Sequence, residues 1–573
     1  MKLTKLLRYA GEYKKYLLLC PLVMIGEVAM ENLIPLMVAK LINEESAEVS
    51  QVLKYGGLTV LMALASLAFG MLGAYLASKG GMGLSRNLRR TMFDQVQRFS
   101  FKNIDRFSTA SLVTRLTTDV NQVQNTVMML VRMAVRAPIT FAMALFFILR
   151  LKPDMSVVLL VAIPLLATGI IIIMRAAFPK FQIMMKKYDA LNASVQENLI
   201  GIRVVKAFVR ASHEKEKFAA SADELTATQR AAEKVVLWNG PMMQLIMNGC
   251  ILAILLLGGR KYVWGTMQLG DLNAVITYIT RVLFSLMMLS FLFISFVLSR
   301  ASVARITEVL EEEPEITSPD QPVTQVRDGS IEFDHVGFSY TGDKDNLVLT
   351  DICLSIRSGE TIGVIGGTGS AKTTLVSLIP RLYDVTSGRL LVGGRDIKEY
   401  DIHALRDQVA MVLQKNVLFS GSIKENLRWG NENATDEEIA AACRAAAADD
   451  FIRSFPEGYD MDLGQGGVNV SGGQKQRLCI ARALLKKPRI MILDDATSAV
   501  DTATDARIRD ALRTFMPETT KIIIAQRITS VMDADRILVL DEGRVMDFGT
   551  HDELMERSEI YRDVFTSQQK GVA

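Results

Sequence analysis

Thr361-Ile362-Gly363-Val364-Ile365-Gly366-Gly367-Thr368-Gly369-Ser370-Ala371-Lys372-Thr373-Thr374 decides the fold of the C-terminal half. Five apolar-leaning residues, Thr361–Ile365, read as a buried strand, and a glycine-rich turn follows it. An apolar helix then begins at the lysine. The stretch nearly matches the Walker A pattern G-x-x-x-x-G-K-S/T. Glycines let backbone N–H groups turn inward onto phosphate oxygens, at the positive end of the next helix. Lys372 is placed to reach terminal phosphates, and the Thr373 hydroxyl to meet Mg²⁺. The departure from the pattern is Ala371, where glycine is expected. A methyl there is tolerable at negative φ and costly at positive φ.

Further along, Ile490-Met491-Ile492-Leu493 reads as a second buried strand, closed by Asp494 and Asp495. A carboxylate at such a strand end can hold the Mg²⁺ of a nucleotide, and the next can activate water. About thirty residues on comes Ile524-Ala525-Gln526-Arg527. Strands such as Ile331-Glu332-Phe333 alternate with helices, the pattern of a mostly parallel α/β sheet.

The other half is different. The chain has 573 residues, half of them hydrophobic, and a net charge of +3. Its mean hydropathy is +0.23. Such a length exceeds one core and predicts at least two domains. Six apolar stretches are long enough to cross a bilayer: 16–38, 53–78, 127–150, 155–175, 236–262 and 272–298. Lys2, Lys5, Arg8, Lys14 and Lys15 precede the first span, and an acidic loop, Asn43-Glu44-Glu45-Ser46-Ala47-Glu48, follows it. The positive-inside rule then puts both termini in the cytoplasm. The connections 79–126 and 176–235 are long, basic overall and helical in pattern. They are expected to be helices running on out of the bilayer. The acidic, Pro-rich run from Glu311-Glu312-Glu313-Pro314 to Pro322 marks the boundary. No basic tract of nucleic-acid type is present, so no nucleic-acid partner is expected. Cys20, Cys250, Cys353, Cys443 and Cys479 have no paired spacing and read as buried, reduced residues, not a disulfide frame or zinc site.

Val470-Ser471-Gly472-Gly473-Gln474, taken with the Walker A loop, closely resembles the signature of ATP-binding-cassette (ABC) proteins, where Leu is usual at the position of Val470. Six spans followed by one cassette resembles an ABC exporter half-transporter over the whole chain. The implied architecture is multidomain. An all-α six-helix transmembrane domain of the type I exporter kind (1–315) is followed by a linker (316–330) and an α/β P-loop nucleotide-binding domain (331–573). The implied cofactors are ATP and Mg²⁺. The resemblance assigns Tyr340 to stacking on adenine. It gives the phosphates to Gly366, Gly367, Thr368, Gly369, Ser370, Ala371, Lys372, Thr373 and Thr374, and Mg²⁺ to Thr373, Gln414 and Asp494. Ser471, Gly472, Gly473 and Gln474 meet the γ-phosphate of the nucleotide on the opposite subunit. Ser498-Ala499-Val500-Asp501 resembles the D-loop, and Gln465 stands where a Glu is usual.

Two positions depart from the family together. A Glu normally follows the Walker B aspartate and a His normally contacts the γ-phosphate; here they are Asp495 and Gln526. Asp is one methylene shorter, and Gln carries no positive charge. None of His213, His335, His403 and His551 falls at the switch position. The pattern resembles the degenerate-site subunit of bacterial heterodimeric multidrug exporters. It implies a partner half-transporter with an intact Glu and His, slow hydrolysis on this chain, and a multi-pass place in the bacterial inner membrane.

Within the spans, Glu27 and Glu31 share one helix face, as do Arg132 and Arg136, and Arg281 lies in the sixth. They read either as paired with one another or as a cavity that favours cations. Met24, Met30, Met37, Met128, Met129, Met133, Met242, Met243, Met247, Met287 and Met288, with Phe284, Phe291, Phe293 and Phe296, suit lipophilic, drug-like cargo or plain packing. Short coupling helices are expected around 103–111 and 204–211. A lipid flippase and a nucleotide-gated regulatory subunit are the competing functions.

Overall fold

The computed structural model describes residues 5–44 and 49–570, without the side chains of residues 293, 294, 297, 298 and 570. Lys2, the loop residues Glu45, Ser46, Ala47 and Glu48, and the Phe293 side chain lie outside the described residues. The chain forms two compact units, Met1–Gln97 with Thr109–Glu312, and Arg98–Ser108 with Glu313–Ala573.

Among the described residues of the first unit, six helices are long and apolar enough to cross a membrane: Leu7–Asn43, Val49–Gln97, Thr109–Leu151, Pro153–Ile200, Ala211–Val263 and Leu269–Leu292. The second has 49 residues. At 1.5 Å per residue it is about 74 Å long, more than twice a hydrocarbon core, so it must project into water. The same holds for the fourth and fifth, which makes the two long connections helical as the sequence predicts.

Both span carboxylates are paired with one arginine, whereas Arg281 Nη1 is buried without a hydrogen-bond partner among the described residues. Arg136 donates to Glu27 at 2.6 Å and to Glu31 at 2.9 Å, tying the third helix to the first. This favours the pairing reading over a cation-seeking pair of free carboxylates. Among the methionines, Met24 and Met37 are buried inside the bundle, which is the packing role.

The short helices begin earlier than expected. One covers Phe101–Phe107, capped reciprocally by Ser100 and Asn103, and ends where Ser108 takes φ +55°. The other covers Ile202–Ala207 and is followed by Val209 at φ +54°. A left-handed residue closes each, which pure helical patterning does not reveal.

The second unit is built on two sheets. Strands β1 (Ile331–Phe338), β2 (Leu349–Ile356), β4 (Ser387–Val392) and β5 (Arg395–Asp396) form an antiparallel sheet in the order β2-β1-β4-β5. The core sheet runs β12-β11-β3-β10-β9-β6. Its strands are β3 (Thr361–Ile365), β6 (Val409–Val412), β9 (Ile490–Asp494), β10 (Thr520–Ile524), β11 (Arg536–Asp541) and β12 (Arg544–Gly549). All are parallel to their neighbours except β12. A small pair, β7 (Gly421–Ser422) with β8 (Asp462–Leu463), completes the set. β3, β9 and β10 are buried along their whole length, as unbroken apolar runs in a covered parallel sheet should be.

Two sequence expectations change here. Residues 316–330 do not run free between domains: Val323 bridges to Tyr400, Val326 is buried, and the Gly329 carbonyl accepts from Thr520. Val326 joins the apolar core of the second unit and Val323 packs against it, an anchoring that composition alone hides. Cys353 is exposed, whereas the other four cysteines are buried. The alternation of β2 buries Ile352 and Leu354 and turns Asp351 and Cys353 outward. Cys353 thus stands beside His335 and Asp351, with potential ligand atoms of all three within 4.8 Å of one another.

Candidate functional site

The site grows from the carboxyl ends of β3, β9 and β10, which lie side by side in register. β3 delivers the loop Gly366–Ala371, and the helix Lys372–Leu378 starts directly after it. Gly366 is required by close approach: a Cβ there would sit 2.0 Å from the Leu540 carbonyl oxygen. Gly367 and Gly369 face open space, so the loop's outer side is free to receive a ligand. Ala371 caps the helix at φ +69°, the left-handed region. This is the costly case for a methyl-bearing residue, in a loop that otherwise uses glycine.

Lys372 curls over the loop, its Nζ donating to the carbonyls of Gly366 (2.9 Å) and Gly367 (2.8 Å) and to Ser370 Oγ (3.2 Å). Burial pushes its pKa down, and the charges of Asp495 and Asp494 oppose that. Thr373 Oγ1 donates to Asp494 Oδ2 at 2.8 Å. Burial holds the Asp494 carboxyl above its ordinary range, with Thr373 and Lys372 pulling it down and Asp495 adding to the rise. Two adjacent carboxyl groups, a threonine hydroxyl and a lysine on one phosphate-binding loop form a donor set that fits a nucleotide with a hard divalent cation.

Asp495 follows at φ +50°, a conformation asparagine and aspartate tolerate better than most residues. Its Oδ2 accepts from Gln526 Nε2 at 2.8 Å and from Gln414 Nε2 at 3.4 Å. Gln414 lies just beyond β6 and Gln526 just beyond β10, so both loops converge on one oxygen. Tyr340 stands past the end of β1, 43% exposed, its OH 2.9 Å from Thr374 Oγ1.

The structure therefore gathers Lys372, Thr373, Asp494, Asp495, Gln414 and Gln526. It keeps Ser471–Gln474 apart. Ser471 caps the helix Gly472–Leu485, accepting from the Gln474 N–H, while its own N–H donates to Gln474 Oε1 at 2.9 Å. No hydrogen bond joins Ser471 to the loop 366–374 among the described residues. The helix reaches the site only from behind, where Gln476 Nε2 donates to Ser498 Oγ (3.1 Å) and to the Asp495 carbonyl (3.4 Å).

Sequence reasoning missed two residues. Gln568, on the C-terminal helix Glu559–Lys570, donates to the Gln526 carbonyl (2.7 Å) and accepts from the Ile528 N–H (2.9 Å). It clamps the segment that carries Gln526, and nothing local marks a helix glutamine forty residues away. Tyr383 makes edge contact with Tyr340 (5.2 Å between ring centres) and with Phe101 (6.1 Å). Its OH donates to Asp105 at 2.8 Å. Burial, then the Asp105 bond, push its pKa up. Tyr383 thus joins the aromatic beside the phosphate loop to the helix Phe101–Phe107, within one compact unit.

A phosphate loop, a strand-end carboxylate pair and a capped second helix on one parallel sheet define a nucleotide-binding cassette. Two family profiles match, the ABC transporter transmembrane region over residues 17–287 and the ABC transporter domain over residues 349–498. The chain is 38% identical over 568 residues to the uncharacterized ABC transporter ATP-binding protein YfiB of Bacillus subtilis, covering 99% of this chain and 98% of that one. It is 33% identical to the ATP-dependent lipid A-core flippase of Syntrophus aciditrophicus, over 85% of this chain and 81% of that one. A bacterial Atm1-family ABC exporter solved with ATP bound superimposes with a TM-score of 0.82 at 25% identity, over 97% of this chain and 99% of the other. The chain belongs to the ABC transporter family, as a multi-pass membrane exporter half whose cassette couples ATP hydrolysis to transport.

Proposed function

We propose that this chain is the degenerate-site half of a heterodimeric exporter that moves lipophilic or drug-like compounds out of the cytoplasm or inner leaflet. The observation that carries the reading is the bond from Gln526 to Asp495. An attacking water needs a carboxylate oxygen with a free lone pair. Here Asp495 Oδ2 already accepts from two amides, Gln526 and Gln414, which fixes the carboxylate toward them and leaves only Oδ1 for a water. The shorter Asp side chain also draws the carboxylate back by about 1 Å, a displacement that can cost about 100-fold in rate.

Binding is not impaired in the same way. In this reading Lys372 and the loop N–H groups hold the phosphates, Tyr340 stacks on adenine, and Thr373, Gln414 and Asp494 hold Mg²⁺. The cation would neutralise charge developing on the phosphates. Ser471, Gly472, Gly473 and Gln474 serve the partner's nucleotide, which agrees with their separation from this chain's own loop. The partner supplies the intact Glu and His. The pair sits in the bacterial inner membrane with both termini in the cytoplasm.

A lipid flippase is the second reading, favoured by the 33% identity to a lipid A-core flippase. ATPase assays test the main proposal. The chain purified alone should turn over slowly, and the assembled pair should turn over at the partner's rate. Brisk hydrolysis by a homodimer would refute it.

A further inference from the structure

The helices Pro153–Ile200 and Ala211–Val263 flank a groove of about 790 Å³. Its lining changes character along its length. Gly169, Ile172, Trp238 and Met242 come from the apolar stretches of the fourth and fifth spans, and Lys180, Arg230 and Lys234 come from just beyond them. Gly169 shapes the apolar end: a Cβ there would stand 2.2 Å from Met242 Sδ, so a larger residue would push that side chain aside.

The cations are uncompensated. No aspartate or glutamate lines the groove. Of the acids on the same helices, Glu224 pairs with Lys187 at 2.5 Å, Glu197 pairs with Lys217 at 3.2 Å, and Glu233 accepts from Gln229 at 2.7 Å. Lys180, Arg230 and Lys234 form no ion pair among the described residues. Three positive side chains thus meet an apolar cleft at the level where both helices leave the hydrocarbon. A tryptophan at this level is typical of a bilayer interface, and basic pockets between spanning helices suit anionic head groups.

We propose that this groove holds an anionic phospholipid, its phosphate among Lys180, Arg230 and Lys234 and its chains along Ile172, Trp238 and Met242. The volume suits one drug-sized head group with the start of its chains. A zwitterionic lipid also brings a phosphate, but its ammonium is repelled by the same three cations. The site is independent of the transported cargo, and the proposal stands whether that cargo is a drug or a lipid.

The test uses the full chain with Trp264→Phe and Trp429→Phe, which leaves Trp238 as the only tryptophan. It is placed in phosphatidylcholine nanodiscs containing dibrominated phosphatidylglycerol or dibrominated phosphatidylcholine. Bromine quenches Trp238 only on close approach. The anionic lipid should quench at a mole fraction about tenfold lower, and Lys180→Gln with Arg230→Gln and Lys234→Gln should erase that preference. If the triple variant misfolds, each single variant should lower the preference about twofold, an equal logarithmic share of the tenfold effect. Equal quenching by both lipids, or a preference that survives all the substitutions, overturns the proposal. Anionic quenching that vanishes when the chain pairs with a second half-transporter assigns the groove to the protein interface and overturns it too.

Discussion

Gln526 Nε2 donates to Asp495 Oδ2 at 2.8 Å, so two of the positions where this sequence departs from the family pattern are bonded to each other. A substitution at either one changes the other's surroundings, and their effects should not add. Asp495→Glu with Gln526→His is expected to raise ATP hydrolysis by the chain alone roughly 10- to 100-fold, the scale of a 1 Å misplacement. Each single change should recover much less. Phosphate release from the four variants of the cycle measures this; additive single effects would speak against a shared site.

Ala371 at φ +69° makes a second forecast. A left-handed non-glycine residue costs roughly 1–2 kcal/mol, and glycine gives back part of that through a freer unfolded chain. Ala371→Gly should therefore stabilise the cassette by about 1 kcal/mol, read as a higher melting temperature. Ala371→Val should lower it, because a β-branched residue fits that region worse. A fall in melting temperature for the glycine variant would contradict the account.

Tyr383 and Asp105 share a charge-assisted hydrogen bond at 2.8 Å. Such bonds are worth about 1.5–3 kcal/mol when protected, and the exposed carboxylate brings the expectation down to about 1 kcal/mol. A double-mutant cycle of Tyr383→Phe and Asp105→Asn on thermal unfolding should return that coupling. In the assembled transporter, Tyr383→Phe should weaken cargo stimulation of ATPase while leaving ATP binding intact. A coupling energy of zero would show that Tyr383 does not hold the helix Phe101–Phe107 through Asp105.

Arg136 holds both Glu27 and Glu31 within the spans. Replacing it by Met strands two carboxylates, one of them buried, which should cost about 3–5 kcal/mol. Adding Glu27→Met and Glu31→Met should restore most of the loss, because the triad is then replaced as a unit. Urea-resistant folding of the detergent-solubilised chain provides the readout. An Arg136→Met variant as stable as the parent would show that the pairing contributes nothing.

The legible parts of this protein were those in which chemistry is local. The strand, loop and lysine of 361–374 lie within fourteen residues, and their geometry is set by backbone rules. The spans follow from bilayer thickness. The pairing of Arg136 with Glu27 was one of two open readings, because helix periodicity fixes a face and not a neighbour. Tyr383 and Gln568 were invisible for a related reason: each acts on residues tens to hundreds of positions away. Ala371 stands out in the sequence, but the sign of its effect depends on a φ that only the fold determines. Cys353 was misplaced because composition says nothing of which side of β2 a residue takes. The 316–330 segment looked like a linker because prolines and acids mask the few apolar residues that anchor it.

The central claim concerns which nucleotide survives. In the assembled pair, a photoreactive azido-ATP crosslinked beside Tyr340 reports the pocket built on Lys372, and the label on the partner reports the other. After a single turnover in the closed state, this chain should still carry triphosphate while the partner carries diphosphate. Equal conversion to diphosphate on both chains would contradict the account.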